Sequence, residues 1–113
     1  MKNAIITPEE ARLPPGELAL WCQLRDLGGW ERQYPLSNKR IKFDFAHPTL
    51  KLLVEVDGGS GGQAHGTPWG REHDYRKRND AVCRGWRVLI GSTKQAENGE
   101  LLMYVRRAMG GVG

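Results

Sequence analysis

The sequence predicts a single mixed α/β domain with elements in the order α-β-β-β-α-β-α, and three observations carry that prediction. Leu52-Leu53-Val54 is a short continuous apolar run, the pattern of a central strand buried on both faces. Residues 40–46 alternate apolar and polar, with Ile41, Phe43 and Phe45 expected on one face and Lys42 and Asp44 on the other. A long polar stretch, residues 71–84, separates the apolar run from another strand at 86–90 and reads as a helix. Two strands joined through a helix run parallel with a right-handed crossover, so the central sheet is mixed.

In chain order, Thr7-Pro8-Glu9-Glu10 has the chemistry of a helix start, with Thr7 able to cap and Glu10 able to complete a capping box. Pro14-Pro15 interrupts that segment. A helix is expected over residues 16–27, with Leu20, Trp21, Leu24 and Leu27 as its apolar stripe and Gly28-Gly29 as its stop. Glu17 falls three and four residues before Leu20 and Trp21, which puts its carboxylate on or beside the inward face. Strands follow at 30–36, 40–46 and 51–57, with turns at Ser37-Asn38 and His47-Pro48-Thr49. A closing helix is expected over residues 96–109, with Leu101, Leu102, Val105, Ala108 and Met109 inward.

With 113 residues the chain supports one core: an arm at 1–15, a core at 16–92 and a closing helix and tail at 93–113. A net charge of +4 favours a polyanionic partner. Cys22 and Cys83 lack the paired spacing of a zinc site and read as two free, buried thiols in a reducing compartment. The first residues lack a signal peptide's apolar core and no run approaches a membrane span, so a cytoplasmic protein without membrane contact is expected. The glycine-rich stretch 58–62 is not followed by the Gly-Lys-Ser/Thr of a phosphate-binding P-loop; it reads as a surface loop or a mobile flap. Trp30, Trp86 and Phe43 read as core residues, and His47 and His73 as structural or solvated ones.

The acids are the informative exceptions. Glu55 interrupts an otherwise apolar strand, and alternation places Leu53, Glu55 and Asp57 on one face and Leu52, Val54 and Val56 on the other. Asp44 stands between Phe43 and Phe45. Burying an unpaired carboxylate costs roughly several kcal/mol, so each needs a partner. Either Asp44 and Glu55, with Glu17, hold a hard divalent cation, or they pair with Arg40, Lys42 or Lys51 at a sheet edge.

Taken together, Glu17-Leu18-Ala19-Leu20-Trp21 with Leu24-Arg25, Arg32-Gln33, Phe43-Asp44-Phe45, Leu53-Val54-Glu55-Val56-Asp57-Gly58, His65, Asp74, Arg78 and Gly85-Trp86-Arg87-Val88-Leu89 form an ordered set. Over residues 16–92 this set resembles the PD-(D/E)XK nucleases, and within them the group similar to the very-short-patch repair endonuclease. The resemblance implies a restriction-endonuclease-like α-β-β-β-α-β core, DNA as partner, and Mg²⁺ or Mn²⁺ as cofactor. It implies that Asp44 and Glu55 ligate the ion, that the Val56 carbonyl joins them, and that Glu17 acts through a water on the ion. Asp57 occupies the position that lysine usually fills.

Aspartate supplies no positive charge there, so the missing cation falls to Lys77 or Arg78, with His65 as general base or water-orienting group. Arg71, Lys77 and Arg78 would grip phosphates. The repair enzyme's zinc cysteines are absent, and residues 58–64 hold no aromatic wedge, so mismatch specificity is not implied. The expected function is a metal-dependent endodeoxyribonuclease; the alternatives are a DNA-binding module that keeps the nuclease fold without cleavage, and a structural protein whose acids form ordinary salt bridges. One site in so small a chain means that double-strand cutting would need a homodimer or two separate events.

Overall fold

The computed structural model describes residues 5–57 and 68–110. The glycine-rich stretch 58–62 and His65 lie outside the described residues. The elements are α1 (Pro15–Leu24), β1 (Glu31–Pro35), β2 (Lys42–His47), β3 (Leu52–Asp57), α2 (Pro68–Cys83), β4 (Arg87–Ser92), α3 (Thr93–Glu97) and α4 (Glu100–Ala108). They form one four-stranded sheet in the order β1-β2-β3-β4. β1–β2 and β2–β3 pair antiparallel, and β3–β4 pair parallel with Leu53 opposite Val88. The mixed α/β architecture expected from the pattern is therefore present.

Helices cover both faces of the sheet. On one face, Leu20 and Leu24 of α1, Ala96 of α3 and Leu101 and Val105 of α4 bury themselves against Phe45, Leu52 and Val54. On the other, Ala81 of α2 packs with Phe43, Ala46 and Leu53, flanked by Tyr34, Trp86 and Val88. Leu52, Leu53 and Val54 are fully buried, as a strand covered on both faces requires. Trp30 and Phe43 are core residues, and Trp86 packs at the edge of the second cluster. No helix among the described residues is long and apolar enough to cross a membrane.

Three expectations need correction. The closing helix is two helices. Asn98 ends α3, and Gly99, at φ 90°, turns the chain into α4. Only a residue that tolerates the left-handed region fits there, and the Asn-Gly pair was the overlooked signal. A capping box between Ser92 and Gln95 starts α3 directly from the end of β4. The thiols are not buried either: both cysteines are free, but Cys83 is exposed and Cys22 only half-buried. Finally, Phe43 and Phe45 do not share a face, because β2 inverts between them.

The amino-terminal arm is fastened by a single carboxylate. The Glu10 N–H donates to Thr7 Oγ1 at 3.1 Å while the Thr7 N–H donates to Glu10 Oε1 at 3.0 Å, the expected reciprocal box, here opening a short 3-10 turn. Glu10 also accepts from Trp21 Nε1 at 2.5 Å and from Arg25 Nη1 at 2.8 Å, and Arg25 donates to the Ile5 carbonyl at 2.7 Å. The Thr7 amide, the Trp21 indole and the Arg25 guanidinium bring its pKa down from 4.5 to about 2.

A depressed carboxylate contributes stability that is present above its unfolded value of 4.5 and lost as the pH falls through about 2. Trp21 fluorescence, followed from about pH 5 to about pH 2, is expected to report release of the arm in that window. Glu10→Ala is expected to abolish this acid transition. An unchanged transition in the variant would mean that another group anchors the arm.

Candidate functional site

The site begins where β2 and β3 stop pairing regularly. Their last partners are Phe45 and Val54, and the register continued by one residue sets Asp44 opposite Glu55. In place of a ladder bond, Asp44 Oδ2 accepts the Val56 N–H at 2.9 Å. This carboxylate therefore points along the hydrogen-bonding direction of the sheet rather than toward a helix layer.

A local inversion of two strands turns it that way. On the α1 side, Phe45 stacks on Trp21 with centroids 6.0 Å apart, and the Arg32 guanidinium lies 5.5 Å from the Trp21 ring. On the α2 side, Lys77 Nζ lies 4.5 Å from the Phe43 ring centroid, and Tyr34 meets Trp86 at 5.6 Å. Arg32 pairs with Phe45 and Tyr34 with Phe43, so both strands change faces at the intervening residues, Gln33 and Asp44. Gln33 takes up the distortion at φ 51°, a left-handed conformation that costs a non-glycine residue about 1–2 kcal/mol.

Glu55 finds its partner across the sheet face. Lys77, one of the expected substitutes for the missing strand lysine, forms an ion pair with Glu55 Oε2, and both side chains are nearly buried, at 12% and 14% exposure. None of the sheet-edge lysines or arginine proposed as alternative partners takes this role for Glu55 Oε2. Burial nevertheless holds the Glu55 pKa above 4.5: desolvation outweighs the Lys77 charge and hydrogen bond, and Asp44 and Asp74 push the same way. Lys77 is thus turned inward rather than displayed on the basic face.

Glu17 enters from the start of α1. Its half-buried carboxyl has a pKa raised from 4.5 to about 7, first by burial, then by the charge of Asp44 and, more weakly, of Glu55, with Arg32 opposing. Three of the acids singled out in the sequence therefore feel one another's field. Gly16 permits this approach: a Cβ there would lie 2.8 Å from Val56 Cγ1 and 3.1 Å from the Thr93 backbone. The sequence signal, a glycine immediately before the helix acid, was missed. So was Arg32, which bonds Glu9 at 3.0 Å while lying near enough to Glu17 to oppose its shift.

The remaining candidates are placed as follows. Asp57 ends β3 exposed, opposite Ser92. Arg71 is exposed on α2, and Arg78 is half-buried with its guanidinium 6.0 Å from the Tyr75 ring. His47 has a structural role: its Nδ1 accepts the Leu50 N–H at 3.3 Å and its ring meets Trp30 edge-on. Among the described residues, no three His, Cys, Asp or Glu side chains form a ready-made metal cage. Asp44 and Glu55 are hard oxygen donors, and a Mg²⁺ site of one or two carboxylates completed by waters and phosphate fits this smaller donor set.

No family model, curated protein or solved structure matches the chain.

Two measurements follow from this geometry. A raised carboxyl contributes stability that is full below 4.5 and lost as the pH rises through about 7, so deprotonating Glu17 burdens the fold. Glu17→Gln, discounted for solvent screening at a half-exposed group, is expected to stabilise the metal-free protein by about 1 kcal/mol at about pH 8 and to leave it unchanged at about pH 4. Equal effects at both pH values in urea melts would show that Glu17 does not hold its proton. At Gln33, glycine is expected to raise stability by about 1 kcal/mol and valine to lower it by at least as much, because a β-branched residue resists positive φ. The reverse order would remove the inversion from the account of the site.

Proposed function

We propose that the chain is a metal-dependent endodeoxyribonuclease with a restriction-endonuclease-like core, cutting DNA at the end of the β2–β3 pair. The observation that carries this reading is the gathering of Glu17, Asp44 and Glu55 at one sheet end, where burial and mutual repulsion raise carboxyl pKa values, with Lys77 beside them. Held by Asp44 and Glu55, Mg²⁺ or Mn²⁺ would supply a Lewis acid that polarises the phosphodiester and makes water more acidic. The chain's own groups would do the rest.

Asp44 is pinned by the Val56 N–H, and the Val56 carbonyl belongs to the same strand edge. Lys77 provides, from a helix, the positive charge that Asp57 cannot provide from the strand. With a phosphate present, its ammonium would stabilise developing charge and orient water. Glu17, protonated to about pH 7, would hydrogen-bond water at the cluster's rim. Arg71 and Arg78 on α2, with the net charge of +4, would attract the polyanion.

One observation favours a second reading, a DNA-binding module that keeps the fold without cleavage. Lys77 already neutralises Glu55, which leaves less negative charge for a divalent ion.

Nicking of supercoiled plasmid in Mg²⁺ or Mn²⁺ separates the two. Wild type is expected to nick, and Asp44→Ala, Glu55→Ala and Lys77→Met are each expected to slow nicking by at least about a hundredfold. No cleavage of plasmid or branched DNA in either metal would overturn the nuclease reading. Salt-dependent DNA binding without cleavage would establish the second.

A further inference from the structure

A cleft of about 360 Å³ opens between α2 and the connection from β1 to β2. Its size lies within the range of small-ligand pockets, about 300–1,000 Å³. It is built rather than incidental. Ser37 Oγ donates to Asp80 Oδ2 at 2.8 Å, tying the strand connection to the helix, and Arg84 Nε holds the same carboxylate from one turn along at 3.0 Å. Asn38 Oδ1 accepts the Arg40 N–H at 2.9 Å and so fixes the turn that forms the rim.

Position gives the cleft its meaning. Lys77 is one of its walls, and the same Lys77 pairs with Glu55 and crosses the Phe43 ring. Through the Lys77 side chain the cleft is therefore connected to the ion pair at Glu55. Leu36, Ile41 and Phe43 give it apolar surface, while Ser37, Asn38, His73 and Asp80 contribute hydrogen-bonding groups. Arg76 stands at the rim, and Lys39, Arg40 and Lys42 are exposed on the adjoining turn and strand start. A flat, partly apolar ring with polar edges, carried on an anionic backbone, matches all three features.

We propose that this cleft receives a nucleobase of the strand whose phosphate lies at Asp44 and Glu55, making DNA with unpaired nucleotides beside the cut the preferred substrate. The proposal rests on the nuclease reading for its choice of strand. A base in an intact duplex is stacked and paired, so entry requires extrusion, which is least costly for nucleotides that are already unpaired. The rim cations hold the flanking phosphates, and the apolar wall takes the place of the neighbouring bases.

Ile41→Trp is the direct test, because Ile41 is half-buried on the cleft wall and lies outside the acid cluster. Binding of a short single-stranded oligodeoxynucleotide carrying one fluorescent purine is measured without divalent metal, and plasmid and bubble DNA are then cut in Mg²⁺. Wild type is expected to bind the oligonucleotide with a change in purine fluorescence and to cut the bubble about tenfold faster than matched duplex. Ile41→Trp is expected to lose the fluorescence change and the preference while still nicking plasmid. Arg76→Ala, an exposed rim change, is expected to weaken oligonucleotide binding without altering the melting temperature. Undiminished oligonucleotide binding in a folded Ile41→Trp protein would overturn the proposal, as would equal cutting of bubble and duplex by wild type. Loss of purine binding in Ile41→Trp, with no cleavage by any form, would support the cleft as a base site and overturn the nuclease reading alone.

Discussion

A carboxylate in the middle of a buried strand must be neutralised, and much of the architecture around Glu55 answers that demand. Leu52, Leu53 and Val54 require cover on both faces of the sheet, yet Glu55 continues the same strand with only 14% of its side chain exposed. Water cannot fully solvate it there, and an uncompensated charge would cost roughly several kcal/mol. Lys77 supplies the compensation from α2, its ammonium lying over the Phe43 ring and paired with Glu55. Phe43 can serve as that support only by facing α2, whereas Phe45 is needed against Trp21 on the opposite face. The strand must therefore invert at Asp44. The strain at Gln33 is the accompanying cost, and it leaves Asp44 directed at the Val56 amide.

Two groups of acids in this small domain are held in opposite ways. Glu10 is surrounded by donors: an amide, an indole and a guanidinium lower its pKa to about 2, and no neighbouring acid opposes them. Its charge is fully used in holding the arm. Glu17 and Glu55 are shifted the other way, by burial and by other carboxylates, although Arg32 and Lys77 are close by. Such a cluster keeps an excess of negative potential that a bound cation would relieve. Like charges collected at one sheet end are the observation on which the proposed site rests.

The architecture was readable because burial imposes period and length on sequence. The Leu52-Leu53-Val54 run marked the central strand, and the helix between it and β4 fixed the parallel pairing. Thr7 and Glu10 announced their capping box by residue type alone. Asp44, Glu55 and Glu17 stood out because charge on an inward face needs a reason. What escaped notice was whatever depends on a departure from regularity. Strict alternation put Phe43 and Phe45 together, since period two carries no sign of an inversion at Asp44, which a glutamine at positive φ accompanies on the neighbouring strand. One continuous apolar stripe concealed the break at Asn98-Gly99 for a similar reason. Lys77 could be named as a source of charge but not chosen over Arg78, because the polar sequence of α2 scarcely marks which side faces inward.

Placing the compensating lysine on a helix has a consequence that a strand lysine would not have. Two residues after Glu55, a lysine would be fixed by the same ladder that fixes the acid. Lys77 instead stays in register only while α2 remains seated, and the described side chains of α2 present few apolar groups to the sheet. Ala81 is its fully buried hydrophobic side chain among the described residues. The seat therefore depends on polar fastenings: Lys77 to Glu55 at one point, and Asp80 to Ser37 one helical turn away. The cleft lies between these fastenings and uses both residues as walls. Lys77 is therefore shared between the wall of the cleft and the ion pair with Glu55. In a fold of this size, one helix carries both a wall of the cleft and the charge that compensates Glu55.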